Sequence, residues 1–557
     1  MKARFSRLSV IILFMILLLI TGCESPADPA AERGNPGAVD RIAPPGQFPL
    51  SSKTIGLSVF VTPPPEVEDL NTNSFTAYVE EKLNIDFKFI MASPAAKKER
   101  KQLLFAAGDY PAVLFSGELT PDEQIKYSMQ GMLRPLNDLI DEYGDNIKKI
   151  FEENPGLRKI ITAPDGNIYS LPSINECFHC MYSQKLWINT TWLNKLGLDM
   201  PRTTEELYSV LKAFKTEDPN GNGKRDEIPL TGAADSWRTK ITGFLMSAFI
   251  YHTDDNYFYI EDGTVAMAAI QPEWREGLAY IRKLYREGLI DPAAFTQTID
   301  GLIQLAGNED EGVIGSAAMG HIRMAFTGSN EERNTEYATV PPLIGPNGYQ
   351  AAGYFSTLEF GQFAITDKAT ETEAAAAIRL ADYLYSEEAA ILNEYGPENL
   401  WWRRGEPGEV DVHGRPAKYK LKPEYWEQRT QNEGWNQMGI LYRNRDLRES
   451  WAVPEDMYSR EGYEHRLYVE TEQNYRGKEP EEVLPAHIYM DPDDAFEAAR
   501  LRVQIHDYIE SNMVQFITGT KDLDTEWEAY LDGFKGLKLS RYMAIYQEAY
   551  DNYIRSG

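Results

Sequence analysis

The residues with the clearest chemical spacing lie between Asp218 and Glu227, in the run Asp-Pro-Asn-Gly-Asn-Gly-Lys-Arg-Asp-Glu. Asp218, Asn220 and Asn222 alternate around a tight glycine turn, and Lys224 follows with a main-chain carbonyl to offer. Asp226 and Glu227 then bring two carboxylates. Oxygen donors at every second position around a glycine are how a short loop wraps a hard cation, so the spacing predicts calcium. An EF-hand places a bidentate Glu at its twelfth position, but here that position is Pro229. The bidentate ligand must therefore be Asp226 or Glu227, and the chain leaves the loop extended rather than in a second helix. No open coordination position or catalytic partner is evident, which makes the expected role of calcium structural.

Two cysteines, Cys177 and Cys180, flank His179. Outside the cytoplasm such a pair is most simply a small disulfide loop. A redox pair would need a strand-then-helix setting, and zinc would need further ligands. Aromatic residues outside the clearest helices form the other signal: Trp237, Tyr354, Phe355, Trp401, Trp402, Trp426, Trp435 and Trp451. Flat apolar faces with a few polar groups nearby suit sugar rings. Trp237, Tyr354, Phe355, Trp401, Trp402, Arg403 and Trp435 are taken as the candidate ligand cleft. In Trp401-Trp402-Arg403-Arg404, two rings and two guanidinium groups cannot all enter one core, so at least one ring is expected at a cleft. There is no G-x-S-x-G elbow, no H-E-x-x-H and no P-loop. With 85 acidic residues, carboxylate pairs are inevitable and no catalytic pair stands out.

The elements that must position these groups are legible in part. Before the cation loop, Thr203 and Glu206 predict a capping box, and Leu207, Val210, Leu211 and Phe214 form one helical stripe. Earlier, strands are expected over 54–61, 85–90 and 112–115, alternating with helices over 75–83 and 97–107. That alternation predicts a largely parallel α/β sheet. Gly117 and Pro121 punctuate the exit from the third strand, and loops at the carboxyl ends of such strands usually hold ligands. Asp165-Gly166 predicts a hairpin turn within 160–172. Further helices are expected over 236–250, 273–287, 372–385 and 492–516, and over 525–531 and 541–553 with a break at Gly533–Gly536. Residues 395–476 show little period.

The chain has 557 residues and a formal net charge of −29, so nucleic acid is a poor partner and more than one core is affordable. Lys2, Arg4 and Arg7 precede an apolar run to Ile20, too short to span a bilayer and fitting a secretory signal. Ile20-Thr21-Gly22-Cys23 resembles a bacterial lipobox, which implies removal of residues 1–22 and a diacylglycerol-modified, palmitate-bearing Cys23. Residues 23–50, rich in Pro, Ala and Gly, read as a flexible tether.

With these marks in order, the chain resembles the family 1 extracellular solute-binding lipoproteins of bacterial ABC importers. The resemblance is carried by Gly108-Asp109-Tyr-Pro111, Gly131-Met-Leu-Arg-Pro135-Leu136, Asp165–Pro172, Trp187-Ile-Asn189 with Trp192–Leu198, the cation loop, Pro341–Pro346 and Phe516–Gly519. Ala112 departs from it, since the family often has Asp after that proline. The resemblance implies a two-lobe periplasmic-binding-protein-like α/β fold of type II, helix-rich, with a hinge and a central cleft. It implies calcium on Asp218, Asn220, Asn222, Lys224, Asp226 and Glu227, as in related alginate-binding proteins. The expected organisation is an N-terminal lobe over 51–172 with a returning segment near 350–400. A C-terminal lobe with the calcium loop follows over 173–349, then a cleft-lining region and C-terminal helices over 401–557. The expected function is binding, without catalysis: a monomer on the outer face of the cell membrane takes an oligosaccharide to ABC permease subunits. A surface carbohydrate-active enzyme and a peptide-binding or sensor lipoprotein are the alternatives.

Overall fold

The computed structural model describes residues 42–253, 255–307, 312–427 and 430–555. The signal segment, Cys23 and most of the tether lie outside the described residues. Among the described residues no helix is long and apolar enough to cross a membrane.

The first core forms around a six-stranded sheet. Ile55–Val61 is its spine, paired in parallel with Ile85–Met91 on one side and Val113–Phe115 on the other. Leu358–Ile365 returns antiparallel to Val113–Phe115, and beyond it come Leu171–Asn175 and Tyr442–Arg443. The sheet is thus mixed, because a segment distant in sequence runs between the early strands. The helix Glu371–Leu384 is buried over nearly its whole length. Its alanines allow close approach to the sheet, and Thr370 caps it through Glu373.

The second core surrounds the three-stranded sheet of Leu186–Asn189 between Ser316–Ala318 and Tyr337–Thr339. Helices Thr204–Thr216, Pro272–Arg286, Pro492–Thr518 and Leu539–Arg555 cover it with apolar stripes. The Thr203–Glu206 capping box is present, with Glu206 N–H donating to Thr203 Oγ1 at 3.1 Å. A satellite core of Ala390, Ile391, Tyr395, Trp402, Tyr419 and Leu447 gathers residues 390–447 beside the first sheet's helices.

Three expectations of local structure are corrected. The turn at Asp165-Gly166 is real, closed by a Thr162–Ile168 bridge, but the preceding arm is helix Pro155–Ile161 and the following strand pairs elsewhere. Residues 236–250 keep only the short helix Ile241–Met246, because Arg238 takes a left-handed backbone (φ 57°). The C-terminal break falls at Lys538 (φ 56°) rather than at Gly533, which stays inside helix Trp527–Gly536.

The chain passes between the two sheets at 175–186, 339–358 and 443–463, and these passages lie side by side. Asn175 N–H donates to Thr357 O at 3.1 Å, and Glu176 N–H to Arg443 O at 2.8 Å. The first and third passages turn into short helices, Phe178–Met181 and Arg445–Glu449, soon after these bonds; three hydrogen-bonded connections with a separate core on either side make a hinge between two lobes of α/β structure. This is the two-lobe type II architecture.

Candidate functional site: the cleft beside the hinge

The registers decide which ends of the sheets face the hinge. In the first lobe, the carboxyl ends at Val61, Phe115, Asn175 and Arg443 share one edge with the amino end of Leu358. In the second, the amino end of Leu186 shares an edge with the carboxyl ends of Ala318 and Thr339. The crossing strands leave one edge and enter the other, so the two edges border the same cleft. Ligands in open α/β sheets bind at such carboxyl ends.

On the first lobe's edge, Thr62 Oγ1 and Asn175 Oδ1 are buried without a hydrogen-bond partner. Buried orphan oxygens are rare in folded proteins and mark places where a ligand or water completes the bonding. Ser116 (φ 62°) and Glu118 (φ 44°) sit in the left-handed region directly after their strand, a strained turn typical of ligand-facing loops. Glu359 opens the returning strand at the same edge. Its side chain is accessible yet recessed among protein atoms: burial, and then the charge of Glu118, push its carboxyl above the usual range.

On the second lobe's edge, the Trp237 ring lies on Gly320, where a Cβ would sit 2.1 Å from a ring carbon, so only glycine fits. Trp237 is 42% exposed, a large apolar surface left uncovered. Its ring is 6.2 Å from that of His321, and His321 Nδ1 is 2.6 Å from the hydroxyl of Tyr463. Next door, Arg238 is clamped by Asp255 at 3.0 and 2.8 Å and covers Phe355 at 3.4 Å. Arg323 spans the lobes, 4.7 Å from the Tyr463 ring and 5.2 Å from that of Trp426. A cavity of about 840 Å³ extends from this region, lined by Glu118, Leu119, Asp255, Tyr354, Phe355 and Phe360 among others. Its size suits several sugar rings.

Of the aromatic candidates, Tyr354 and Phe355 line the cavity, and Trp237 is exposed beside Arg238, which covers Phe355. The others are corrected. Trp435 is a core residue, 1% exposed, packed edge-on against Phe75 and Phe115 with its Nε1 donating to Thr76 Oγ1 at 2.8 Å. Trp402 fills the satellite core and donates to Gly396 O at 2.9 Å. Trp401 is also buried, so the hairpin Trp402–Arg404/Tyr419–Leu421 hides both rings by facing one into the satellite core and the other towards Tyr425. Arg403 is held by Glu409 at 2.8 and 2.7 Å and has no free fork for a ligand. Sequence reading missed Thr62, Asn175, Glu118, Glu359, His321, Arg323 and Tyr463. Only Gly117, at a strand exit, hinted at any of them; the rest are joined by register alone.

The cation loop lies away from this cavity, at the end of helix Thr204–Thr216. Asp218 (φ 51°) accepts the N–H groups of Gly221 and Asn222 at 3.1 Å and of Gly223 at 3.0 Å. The amides of Asn220 and Asn222 donate to Asp226 at 3.1 Å. Glu227 Oε1 is buried with no partner, and its carboxyl is pushed up by burial and by the charges of Asp218 and Asp226. Three carboxylates crowd one turn with one oxygen unsatisfied, which is the bonding deficit that a divalent cation fills; the residues fit calcium. The loop then docks through Ile228 onto Ile314, next to the second lobe's sheet. Cys177 and Cys180 are joined by a disulfide at the first hinge passage, S–S 2.00 Å, which removes both sulfurs from any metal site.

The chain is 28% identical over 525 residues to the fructooligosaccharide ABC transporter substrate-binding protein FusA of Streptococcus pneumoniae, covering 91% of this chain and 92% of that one. The structure of FusA in complex with kestose superposes with a TM-score of 0.75 at 27% identity, covering 91% of this chain and 100% of that chain. The chain is thus similar, over nine-tenths of its length, to an ABC-transporter solute-binding protein. It is also 26% identical over 432 residues to lipoprotein LipO of Bacillus subtilis, covering 74% of this chain and 77% of the relative. No family model matches.

Proposed function

We propose that this solute-binding protein captures an oligosaccharide outside the cell and delivers it to the membrane subunits of an ABC importer. The observation that carries the reading is the exposed Trp237 ring on the second lobe, next to Arg238 whose partners Asp255 and Phe355 line the large cavity, together with buried, unpartnered oxygens at Thr62 and Asn175 on the first lobe's edge. An apolar face for a sugar ring and acceptors for its hydroxyls are the two things a carbohydrate site needs. FusA, by its name a fructooligosaccharide-binding protein, supports the same class.

The mechanism is lobe closure. Ligand bridging both lobes binds the closed arrangement better and shifts the population towards it, with the hinge at Asn175, Thr357 and Arg443 taking up the rotation. In this reading the first lobe comprises residues 51–172 and the returning segment near 350–400, but the expected boundary at 173 moves to the passage after Asn175, because strand Leu171–Asn175 belongs to the first lobe's sheet. Cys23 carries the lipid that holds the monomer at the outer membrane face. Asp218, Asn220, Asn222, Lys224, Asp226 and Glu227 hold a structural calcium; a structure of a FusA EF-hand mutant supports the existence of such a loop in relatives.

Calorimetry and tryptophan fluorescence against a panel of oligosaccharides and peptides test the reading. Micromolar or tighter binding of a saccharide, with the glycan recovered unchanged, is the expected result. Binding confined to peptides, or new glycan products formed by the pure protein, overturns it.

A further inference from the structure

We infer that a small pocket between the lobes, walled by Trp426 and Trp451, is a subsite that takes one sugar ring of the ligand. This rests on the oligosaccharide reading above and gives it a further place with named groups. Both rings lie outside the clearest helices of the sequence, and neither lines the large cavity. The pocket has a volume of about 90 Å³. By the roughly 10–15 Å³ that one enclosed water needs, this is room for several waters, a space for one ring and not for a chain. Tyr395, Trp426 and Trp451 form its wall on the side of the satellite core. Glu464, His465 and Tyr468 face them from helix Tyr463–Asn474, which shares a core with Trp187 of the second lobe. Contacts lead to the pocket from Trp237, through His321 and Tyr463 to Arg323, which lies 5.2 Å from the Trp426 ring.

Three buried polar atoms without a hydrogen-bond partner belong to residues of this one pocket: Nε1 of Trp426, Nε1 of Trp451 and Nδ1 of His465. They come from three separate segments, and such orphans are rare in folded proteins. An indole N–H only donates, so two of the three call for acceptor oxygens. The charged groups around the pocket are engaged elsewhere. Arg448 is paired with Glu464 at 3.1 Å, Lys420 with Glu409 at 2.8 Å, and Glu449 with His413 at 2.7 Å. The groups left open are therefore the two indoles and the imidazole. A sugar ring answers them: each hydroxyl accepts as well as donates, and the apolar face of the ring lies against an indole plane. Because the walls come from both lobes, a ring held there stabilises the closed arrangement.

The experiment is calorimetry on the intact protein with 1-kestose, maltotriose, xylotriose and mannotriose, repeated on variants with the tightest binder of the four. Trp426→Phe and Trp451→Phe keep an aromatic ring and delete the N–H donor. Each should weaken binding about three- to tenfold, the loss of one hydrogen bond. His465→Ala, on the facing wall, should act in the same direction and serves where an indole variant fails to fold. Trp274→Phe is the control: its Nε1 is also buried without a partner, but it lies in the second core and lines neither cavity, so affinity should stay within about twofold. Thermal unfolding of each variant checks that it folds. Wild-type affinity in every folded pocket variant, or an equal loss in Trp274→Phe, overturns the subsite while leaving oligosaccharide binding standing. Absence of binding of all four saccharides by the wild-type protein overturns both.

Discussion

Arg443 and Glu394 form an ion pair buried in the first lobe, beneath the third hinge passage, with side chains only 3% and 6% exposed. Arg443 also donates to the Tyr395 hydroxyl at 3.1 Å, and its main-chain carbonyl accepts from Glu176 on the first passage. One residue therefore anchors two hinge strands through its backbone and the satellite core through its side chain. Removing the guanidinium leaves Glu394 buried and uncompensated. Arg443→Met is expected to cost about 3–5 kcal/mol in denaturant unfolding, and the double variant Arg443→Met/Glu394→Met should recover much of that loss.

Trp237 and Trp435 should behave oppositely. Trp237→Ala is expected to weaken saccharide binding at least tenfold in calorimetry with little change in Tm, because the ring is exposed and its removal opens no cavity. Trp435→Ala removes a packed ring among Phe75, Phe87 and Phe115 and should cost about 3–5 kcal/mol of stability.

Calcium removal should act on stability before affinity. Chelation is expected to lower the Tm of the wild-type protein by several degrees, and Asp226→Ala should abolish both that response and the bound calcium found by atomic absorption. Saccharide affinity of the folded apo protein should change little, since the loop residues do not line the cleft cavity.

The Arg403–Glu409 pair predicts a pH signature on its hairpin. Arg403, aided by Lys420, holds the Glu409 carboxyl at about 2, down from 4.5. A lowered folded value means that the stabilisation is fully present above pH 4.5 and is lost as pH falls towards 2. Glu409→Gln should therefore lower Tm at pH 6, with the difference from wild type fading through that window.

Cys23→Ala should release the protein from the membrane fraction into the medium, read by fractionation and by loss of fatty-acid labelling.

What the sequence determined alone was local. The capped helix Thr204–Thr216, the alternating strands from Ile55 to Phe115 and the oxygen spacing of Asp218–Glu227 depend on residues within one or two turns of each other, so their signals survive without any fold. The order of its motifs also carried the family resemblance. What only the tertiary structure decided was partnership across long separations. Trp435 has the same side chain as Trp237, but its neighbours come from residues 75, 87 and 115, while Trp237 rests on a glycine at 320 with one face open. The cleft edge itself, joining Thr62, Glu118, Asn175, Glu359 and Arg443, exists because a returning strand sits between the first lobe's early strands and fixes the register of all of them. Burial is a property of what packs against a side chain, and in this protein that packing is supplied by segments hundreds of residues away.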